Sequence, residues 1–254
     1  MLKYFPRKNT CGGVITELFI IRHGDPDYAR DSLTEKGVRE AKLLAQRMEK
    51  ENIDYFYCSP LGRAQKTASY TMEKYPGKDM PTLEWAREFE GTVGKGVFKK
   101  QCWDRKPAYW TKIDDYYSYD KWLKVKLMRK GDVERHYKKV CDGVDELLEK
   151  HGYKKDGRIY RVTNSNHDKI AVFCHFGVES VILSRIFSVS PMIMWHNFVA
   201  LPTSVTRLVT QEREKGKAIF TCVQYGDLSH LYKGGEEPSF QARWCECYED
   251  DTRH

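Results

Sequence analysis

Two arginines and two histidines stand close to the ends of apolar runs, where side chains can act together. Arg22 and His23 follow the run in "FIIRHG", His175 follows the run in "VFCHFG", and Arg63 stands in "SPLGRAQ" near the start of a predicted helix. Arginine binds phosphate through two parallel hydrogen bonds, and a neutral imidazole nitrogen is a nucleophile. Each residue alone would be ordinary in a polar loop or on a solvated helix. The four together predict a pocket for a tetrahedral anion.

The first 77 residues alternate between strand-like and helix-like segments. The pattern predicts a buried strand in "ELFIIRHG", a helix capped by Thr34 in "DSLTEKGVREAKLLAQRMEKEN" and a second strand in "DYFYCSP". A second helix is predicted in "LGRAQKTASYTMEKYPG", ended by Pro76 and Gly77. Such alternation favours a parallel sheet covered by helices, and ligands bind outside the carboxyl ends of its strands.

The regular pattern returns at Asp132, after an irregular segment. "DVERHYKKVCDGVDELLEKHG" predicts a helix, "KIAVFCHFG" a third strand and "VESVILSRIFSVSP" the helix after it, and a β-hairpin is predicted around Glu214–Lys217. We therefore expect one α/β domain over residues 1–254. It would have a mostly parallel sheet, an antiparallel edge hairpin and a helical or irregular insertion at about 90–131.

These motifs resemble the histidine phosphatase superfamily, also called phosphoglycerate-mutase-like. The resemblance spans about residues 17–240 and depends on "RHG", "SLTEKGVREA", "SPLGRAQKTA" and "CHFG" occurring in that order. It implies a three-layer α/β/α sandwich in which the insertion at about 90–131 is a cap. It also implies a phosphoric monoester hydrolase of the histidine acid phosphatase type, with a phosphohistidine intermediate on His23 and no cofactor or metal. It further implies that the transferred phosphoryl group is held by Arg22, Arg63 and His175.

The chain departs from the phosphoglycerate mutases directly after the "RHG" motif. It reads "RHGDPDYARD" and lacks the Ser or Thr, the Trp and the Asn that those mutases carry in this region. Hydrolysis of a phosphomonoester is therefore favoured over mutase-type phosphoryl transfer. A non-catalytic module that binds phosphorylated ligands is the alternative from another class, and the intact set of arginines and histidines argues against it.

A leaving alkoxide needs a proton, and in the resembling family a Glu or Asp after the second helix supplies it. The candidates here are Glu84, Glu88 and Glu90 in "LEWAREFEGTVG". Glu88 fits best because it shortly precedes Gly91, and Glu90 is the second choice. Asp25 of "RHGDPD" is the alternative donor, with Glu88 then an ordinary surface carboxylate.

The net charge of +7 is concentrated in one segment. Residues 95–130 hold eleven Lys and Arg against four Asp, interleaved with Trp and Tyr. In the resembling family this segment caps the phosphate pocket, so it suggests an anionic, phosphorylated small-molecule substrate. The alternative is a scaffold whose aromatic rings form a small core and whose lysines are solvated. No nucleic-acid module is present, so no nucleic-acid partner is expected. Lesser substrate-contact candidates are Asp25, Trp103 and Ser204.

Composition limits the remaining classes. The chain is 41% hydrophobic and 13% aromatic, which is typical of a globular protein. No apolar run approaches the roughly 18 residues of a membrane helix, and "MLKYFPRKNTCGG" has no apolar stretch typical of a signal peptide. We expect a cytoplasmic protein without a membrane partner, and a homo-oligomer stays open. The strand cysteines of "YFYCSP" and "AVFCHF" are expected to be buried thiols. Zinc at Cys245 and Cys247 is a minor alternative to the expectation of no metal.

Overall fold

A computed structural model describes residues 15–94 and 99–239, and it places one large sheet between two layers of helices. The strands are β1 (Glu17–Arg22), β2 (Pro26–Asp27), β3 (Ser32–Leu33), β4 (Tyr55–Cys58), β5 (Thr92–Val93), β6 (Lys100–Gln101), β7 (Tyr153–Asp156), β8 (Ile159–Val162), β9 (Lys169–Cys174), β10 (Val205–Glu214) and β11 (Lys217–Asp227). The helices are α1 (Glu35–Met48), α2 (Gly62–Met72), α3 (Pro107–Trp110), α4 (Lys126–Arg129), α5 (Val133–Lys150), α6 (Phe176–Phe187), α7 (Pro191–Asn197) and α8 (Ser229–Gly234).

The large sheet has the strand order β4-β9-β1-β10-β11-β8-β7. Parallel pairing is confined to β4, β9 and β1, and the other neighbouring strands pair antiparallel. The predicted α/β class with its three layers is confirmed, and the sheet is mixed. The two strands that carry the "RHG" and "CHFG" motifs are direct parallel neighbours, with Ile20 opposite Val172. Their carboxyl ends therefore lie side by side.

The predicted hairpin forms, but its place in the sheet corrects the expectation of an edge hairpin. β10 and β11 meet at a two-residue turn whose Gly216 has φ +75°, which suits a tight hairpin turn. β10 also pairs with β1, and β11 pairs with β8, so the hairpin lies inside the sheet. The edge on this side of the sheet is formed by β7. Its residues Lys154, Lys155 and Asp156 belong to types that are depleted in strands. The sequence pattern therefore did not reveal the β7–β8 hairpin.

Alternate residues of the central strands face opposite helical layers. Phe19 and Ile21 of β1 pack with Leu44 of α1 and Ala68 of α2 on one face. The other face of β1 and β9 packs against α5 and α6. This alternation is the two-residue period of a strand buried on both sides.

The starts of α1 and α2 agree with the sequence prediction, whereas α2 ends earlier than predicted. The Thr34 side chain accepts a hydrogen bond from the Gly37 N–H and caps α1, as predicted. α2 ends at Met72, earlier than the predicted stop at Pro76 and Gly77. A proline disfavours helical geometry in the residue before it, so the chain leaves the helix ahead of Pro76.

The segment at 90–131 consists of short helices and strands around buried aromatic rings. Trp110, Tyr116 and Trp122 are buried and belong to the same core cluster as α5 and α6. The two ends of the segment meet where the Thr92 N–H and hydroxyl donate to Asp132. The lysines of its described part are exposed, including Lys100. The rings thus extend the main core, while the lysines lie on its solvated side.

Four of the described cysteines are buried and free, including Cys58 and Cys174, which confirms the predicted buried thiols. Cys245 and Cys247 lie outside the described residues. Within residues 15–94 and 99–239, no helix combines the length and the apolar composition needed to cross a lipid bilayer.

Candidate active site

His23 lies at the carboxyl end of β1 and is held through both its backbone and its ring. Its N–H donates to the Cys174 carbonyl at 3.1 Å, and its own carbonyl accepts from the Thr203 N–H at 3.1 Å. The ring Nδ1 is 2.7 Å from the Gly24 carbonyl, which can only accept, so Nδ1 carries the hydrogen. The lone pair is thereby left on Nε2, the atom that faces Arg63.

Gly24 and its neighbours explain why a glycine follows the histidine. A Cβ at Gly24 would lie 2.8 Å from the Gly37 carbonyl oxygen of α1, too close for any side chain. The Gly24 N–H also donates to the Thr67 hydroxyl at 2.9 Å, and that hydroxyl donates to the Arg63 carbonyl. The turn after β1 is thus fixed between α1 and α2.

Arg63 is placed at the first turn of α2 by a carboxylate that the sequence did not single out. Its Nη1 donates to Asp31 at 2.7 Å, and the other oxygen of Asp31 accepts from the Gly62 N–H at 2.7 Å. Its Nε lies 3.3 Å from His23 Nε2. The Tyr28 ring lies 5.4 Å from the guanidinium carbon. Asp31 therefore fixes both the helix start and the direction of the guanidinium.

Arg22 is almost fully buried, with 3% of its surface exposed. Its Nη1 donates to the Ala200 carbonyl, and its backbone N–H donates to the Ser204 carbonyl at 3.1 Å. Its Nε has no hydrogen-bond partner among the described residues. The guanidinium carbon lies 5.7 Å from the centre of the Phe176 ring. A buried cation with an unused N–H donor is suited to an oxyanion.

His175 stands at the N-cap position of α6, directly after β9. Its ring centre is 5.0 Å from that of His23, so the two rings lie close together. Its Nε2 is 2.7 Å from the Ser59 hydroxyl, and its Nδ1 has no partner among the described residues. Ser59 therefore orients a ring that keeps one nitrogen for a ligand.

Glu88 is brought into this cluster by two backbone groups. Its Oε1 accepts from the Phe89 N–H at 2.7 Å and from the Val178 N–H of α6 at 3.2 Å. A Cβ at Gly177 would lie 2.6 Å from the same oxygen, so a glycine there gives the carboxyl its space. Glu90 instead pairs with Arg87 at 3.4 Å on the surface, with 54% of its side chain exposed.

The pKa values of the two histidines are lowered, whereas the pKa of Glu88 is raised. Burial, followed by the charges of Arg22 and Arg63, holds the pKa of His23 well below its usual range. Burial also holds the pKa of His175 well below its usual range, helped by the neighbouring His23 ring and by the arginines. Burial raises the pKa of Glu88 despite the nearby N–H groups and arginines. The site therefore favours neutral imidazoles beside a carboxyl group that holds its proton more tightly than usual.

Three other residues proposed from the sequence lie around the cluster. Both carboxylate oxygens of Asp25 accept hydroxyl hydrogen bonds, from Thr34 at 2.6 Å and from Ser239. Ser204 is buried beside the end of β1, and its hydroxyl has no partner among the described residues. Trp103 donates from its indole to the Phe89 carbonyl at 3.4 Å and lies edge-on to Phe176.

Glu179 is a buried carboxyl of α6 that sequence reasoning missed. Its Oε1 accepts from the Thr206 hydroxyl at 2.6 Å, and its Oε2 has no partner among the described residues. Burial raises its pKa to about 7. The one indication in the sequence was an acidic residue four positions after His175, in a mostly apolar helix. Asp31 and Ser59 gave no such signal, because short polar residues are common in loops.

Comparisons with known proteins agree with this geometry. Residues 18–221 match the family model of the histidine phosphatase superfamily (branch 1). A phosphoserine phosphatase 1 from Hydrogenobacter thermophilus is 22% identical over 152 residues, which cover 54% of this chain and 66% of that protein. A probable phosphatase from Schizosaccharomyces pombe is 24% identical over 232 residues, 85% of this chain and 95% of its own length.

A solved structure shares the fold. The structure of a mutant phosphoserine phosphatase from Entamoeba histolytica, in complex with phosphoserine, superposes with a TM-score of 0.57 at 18% identity. The match covers 85% of this chain and 99% of the other. At this identity the likeness establishes the architecture and leaves the substrate to chemical argument.

Proposed function

The chain belongs to the histidine phosphatase superfamily, and we propose that it is a metal-independent phosphatase that hydrolyses a phosphomonoester through a phosphohistidine on His23. The observation that carries this proposal is the orientation of the His23 ring, whose Nδ1 is tied to the Gly24 carbonyl at 2.7 Å. The nucleophilic Nε2 is then directed to the side where Arg63 lies. Phosphatases among its relatives support hydrolysis as the overall reaction.

In the first step, Nε2 of His23 attacks phosphorus and the bond between phosphorus and the ester oxygen breaks. The guanidinium groups of Arg22 and Arg63, with His175, hold the equatorial oxygens. Glu88 gives its proton to the leaving alkoxide, and its raised pKa keeps that proton available. The products of this step are the free alcohol, an ionised Glu88 and phosphohistidine.

In the second step, water attacks phosphorus and the bond to His23 Nε2 breaks. The Glu88 carboxylate accepts the water proton, which restores its acid form. Inorganic phosphate leaves, and His23 returns to the neutral state that its lowered pKa favours. The arginines supply the positive charge for both steps, so the reaction requires no metal ion.

Phosphoserine is the first substrate to test, because it is named in the relative from Hydrogenobacter thermophilus and in the solved structure. A small phosphorylated metabolite with an alkyl leaving group would also make full use of Glu88 as an acid. The basic surface of the segment at 90–131 fits an anionic substrate.

The test is a screen of phosphorylated metabolites with wild type and His23→Ala in excess chelator, followed by trapping of labelled phosphate. We expect turnover by wild type, none by His23→Ala, and acid-labile label on His23. Release of inorganic phosphate separates hydrolysis from mutase-type transfer, which yields an isomeric phosphate ester. Loss of activity on adding chelator would refute the metal-independent mechanism, and binding of substrate without label would indicate a non-catalytic module.

A further inference from the structure

A second cavity lies between α1, the β10–β11 hairpin and α8. Its volume is about 440 Å³, and none of its lining residues belongs to the catalytic cluster described above. Small-molecule sites measure roughly 300–1,000 Å³, so the cavity has the size of a metabolite site. Leu43 and Gly234 form an apolar part of its wall, and Gln46, Gln224 and Ser229 add polar groups.

Four of the residues that line this cavity are cationic. Arg47, Lys50, Arg207 and Lys233 all line it, against the single carboxylate of Glu51. Lys50 and Lys233 are exposed, and neither has an ion-pair partner within the described ranges. The two unpaired ammonium groups leave the cavity with a net positive charge and favour an anionic occupant.

The two arginines are held in place by carboxylates behind them. Arg47 pairs with Asp227 at 2.5 Å, and Arg207 pairs with Glu17 at 2.5 Å. The side chain of Arg47 is only 12% exposed. Each guanidinium has five N–H donors, so these pairs leave donors for a ligand while fixing the planes of the groups. The cavity is therefore preorganised, unlike a patch of mobile surface lysines.

His230 also lines this cavity, and its ring contains a buried nitrogen without a partner among the described residues. The ring is 6% exposed, and its Nε2 is 3.2 Å from the Thr203 hydroxyl oxygen. That hydroxyl donates its only hydrogen to the Pro202 carbonyl at 2.7 Å, so Nε2 must donate to it. Nδ1 is then a bare acceptor, and it has no partner among the described residues. Burial lowers the pKa of His230 to about 4, which keeps the ring neutral at pH 7.

We propose that this cavity is a second binding site, separate from the catalytic pocket, for a small organic phosphate. The lysines and arginines recognise the phosphate, and His230 forms part of the wall beside it. The site is joined to the nucleophile by one residue, because the Thr203 N–H donates to the His23 carbonyl at 3.1 Å. Thr203 has φ +59°, a strained conformation for a β-branched residue. An occupant that fixes His230 therefore bears on the strand end that carries His23.

The experiment uses α,β-methylene-ADP, which carries a phosphate chain and hydroxyl donors and resists cleavage. Its binding is measured by calorimetry with wild type, with Lys50→Glu/Lys233→Glu, and with the control Arg213→Glu/Lys215→Glu. The control makes the same charge change on exposed residues at the hairpin tip. We expect binding to weaken at least tenfold in the cavity variant and less than twofold in the control. Turnover of p-nitrophenyl phosphate by the cavity variant should stay within twofold of wild type.

Two further measurements separate this site from the catalytic one. Arg63→Ala should retain binding of the nucleotide analogue, and the imidazole resonances of His230 should shift on its addition. Binding lost in Arg63→Ala but kept in the cavity variant would place the ligand in the catalytic pocket and overturn the proposal. Unchanged His230 resonances would also overturn it, and citrate binding as tightly as the analogue would refute the assignment to phosphate. Because binding is measured without turnover, failure here leaves the proposed phosphatase reaction intact.

Discussion

Replacing Glu88 with Gln removes an acid proton while keeping the shape and the hydrogen bonds of the side chain. The amide oxygen of the new residue can accept from the Phe89 and Val178 N–H groups, as Oε1 does now at 2.7 and 3.2 Å. The amide nitrogen takes the place of the second carboxyl oxygen and cannot protonate a leaving alkoxide. The substitution therefore tests the proton and leaves the local structure in place.

The size of the effect follows from the leaving group. General acid catalysis contributes roughly 10²–10⁴-fold, about 2.7–5.5 kcal/mol, so kcat for an alkyl phosphate such as phosphoserine should fall by that factor. p-Nitrophenolate leaves without a proton, so kcat for its phosphate should fall by less than about tenfold. In wild type, kcat for the alkyl ester should decline as pH rises through the raised pKa of Glu88. In Glu88→Gln this decline should be absent.

The assay is steady-state release of inorganic phosphate from both esters between pH 5 and pH 9. Glu90→Gln is the matched control, because Glu90 is exposed and pairs with Arg87 on the surface. Its kcat should stay within twofold of wild type on both esters. Equal losses on the two esters in Glu88→Gln would refute the role of Glu88 as proton donor, and a large loss in Glu90→Gln would transfer the role to that residue.

Three further predictions concern the surroundings of the phosphate pocket. Asp31→Asn should lower kcat/KM by about 10- to 100-fold and weaken vanadate binding, because Arg63 loses the carboxylate that orients it. The melting temperature should barely change, since the partly exposed Arg63–Asp31 ion pair contributes about 1 kcal/mol or less to stability. The pKa of Glu179 is about 7 against an ordinary 4.5, so this residue binds its proton more tightly in the folded state. Its contribution to the free energy of unfolding is therefore present at low pH and is lost as pH rises through 7. Denaturant unfolding should show wild type losing about 3 kcal/mol relative to Glu179→Gln between pH 4.5 and pH 8, and parallel curves would contradict the shift. Lys99→Glu/Lys100→Glu should raise KM for an anionic substrate and reduce its salt dependence if the segment at 90–131 binds substrate; unchanged values would make it a scaffold.

The sequence revealed those parts of the molecule that repeat a local pattern. Strand ends followed by a charged motif placed Arg22, His23 and His175, and the helix start placed Arg63. The structure brings all four together with Glu88, because β1 and β9 are parallel neighbours and α6 carries the Val178 N–H. The strand pairing beyond β1 could not be predicted from the sequence, since antiparallel pairing between distant segments depends on contacts that no local stretch of sequence contains. The β7–β8 hairpin, with its charged residues, is an example.

The groups that position the catalytic cluster were missed for a related reason. Asp31 and Ser59 act through single hydrogen bonds to Arg63 and His175 across the turns that follow the strands. A short polar residue in a turn satisfies backbone groups in most proteins, so its type and place carry no information about a partner 32 or 116 residues away. The residues proposed to contact phosphate could be found from the sequence, and those that orient them required the structure.

The proposed mechanism implies that a bound phosphate ester changes the pKa of Glu88. In the free protein, burial raises the pKa of Glu88, while the charges of Arg22 and Arg63 partly oppose that effect. The same two charges, added to burial, hold the pKa of His23 down. The negative charge of a bound phosphate dianion would offset the charges of both arginines, which would then no longer lower the pKa of Glu88. The pKa of Glu88 would therefore rise further. In the proposed mechanism, Glu88 thus holds its proton more firmly once substrate is present, and it releases the proton when the leaving alkoxide develops its own, stronger basicity.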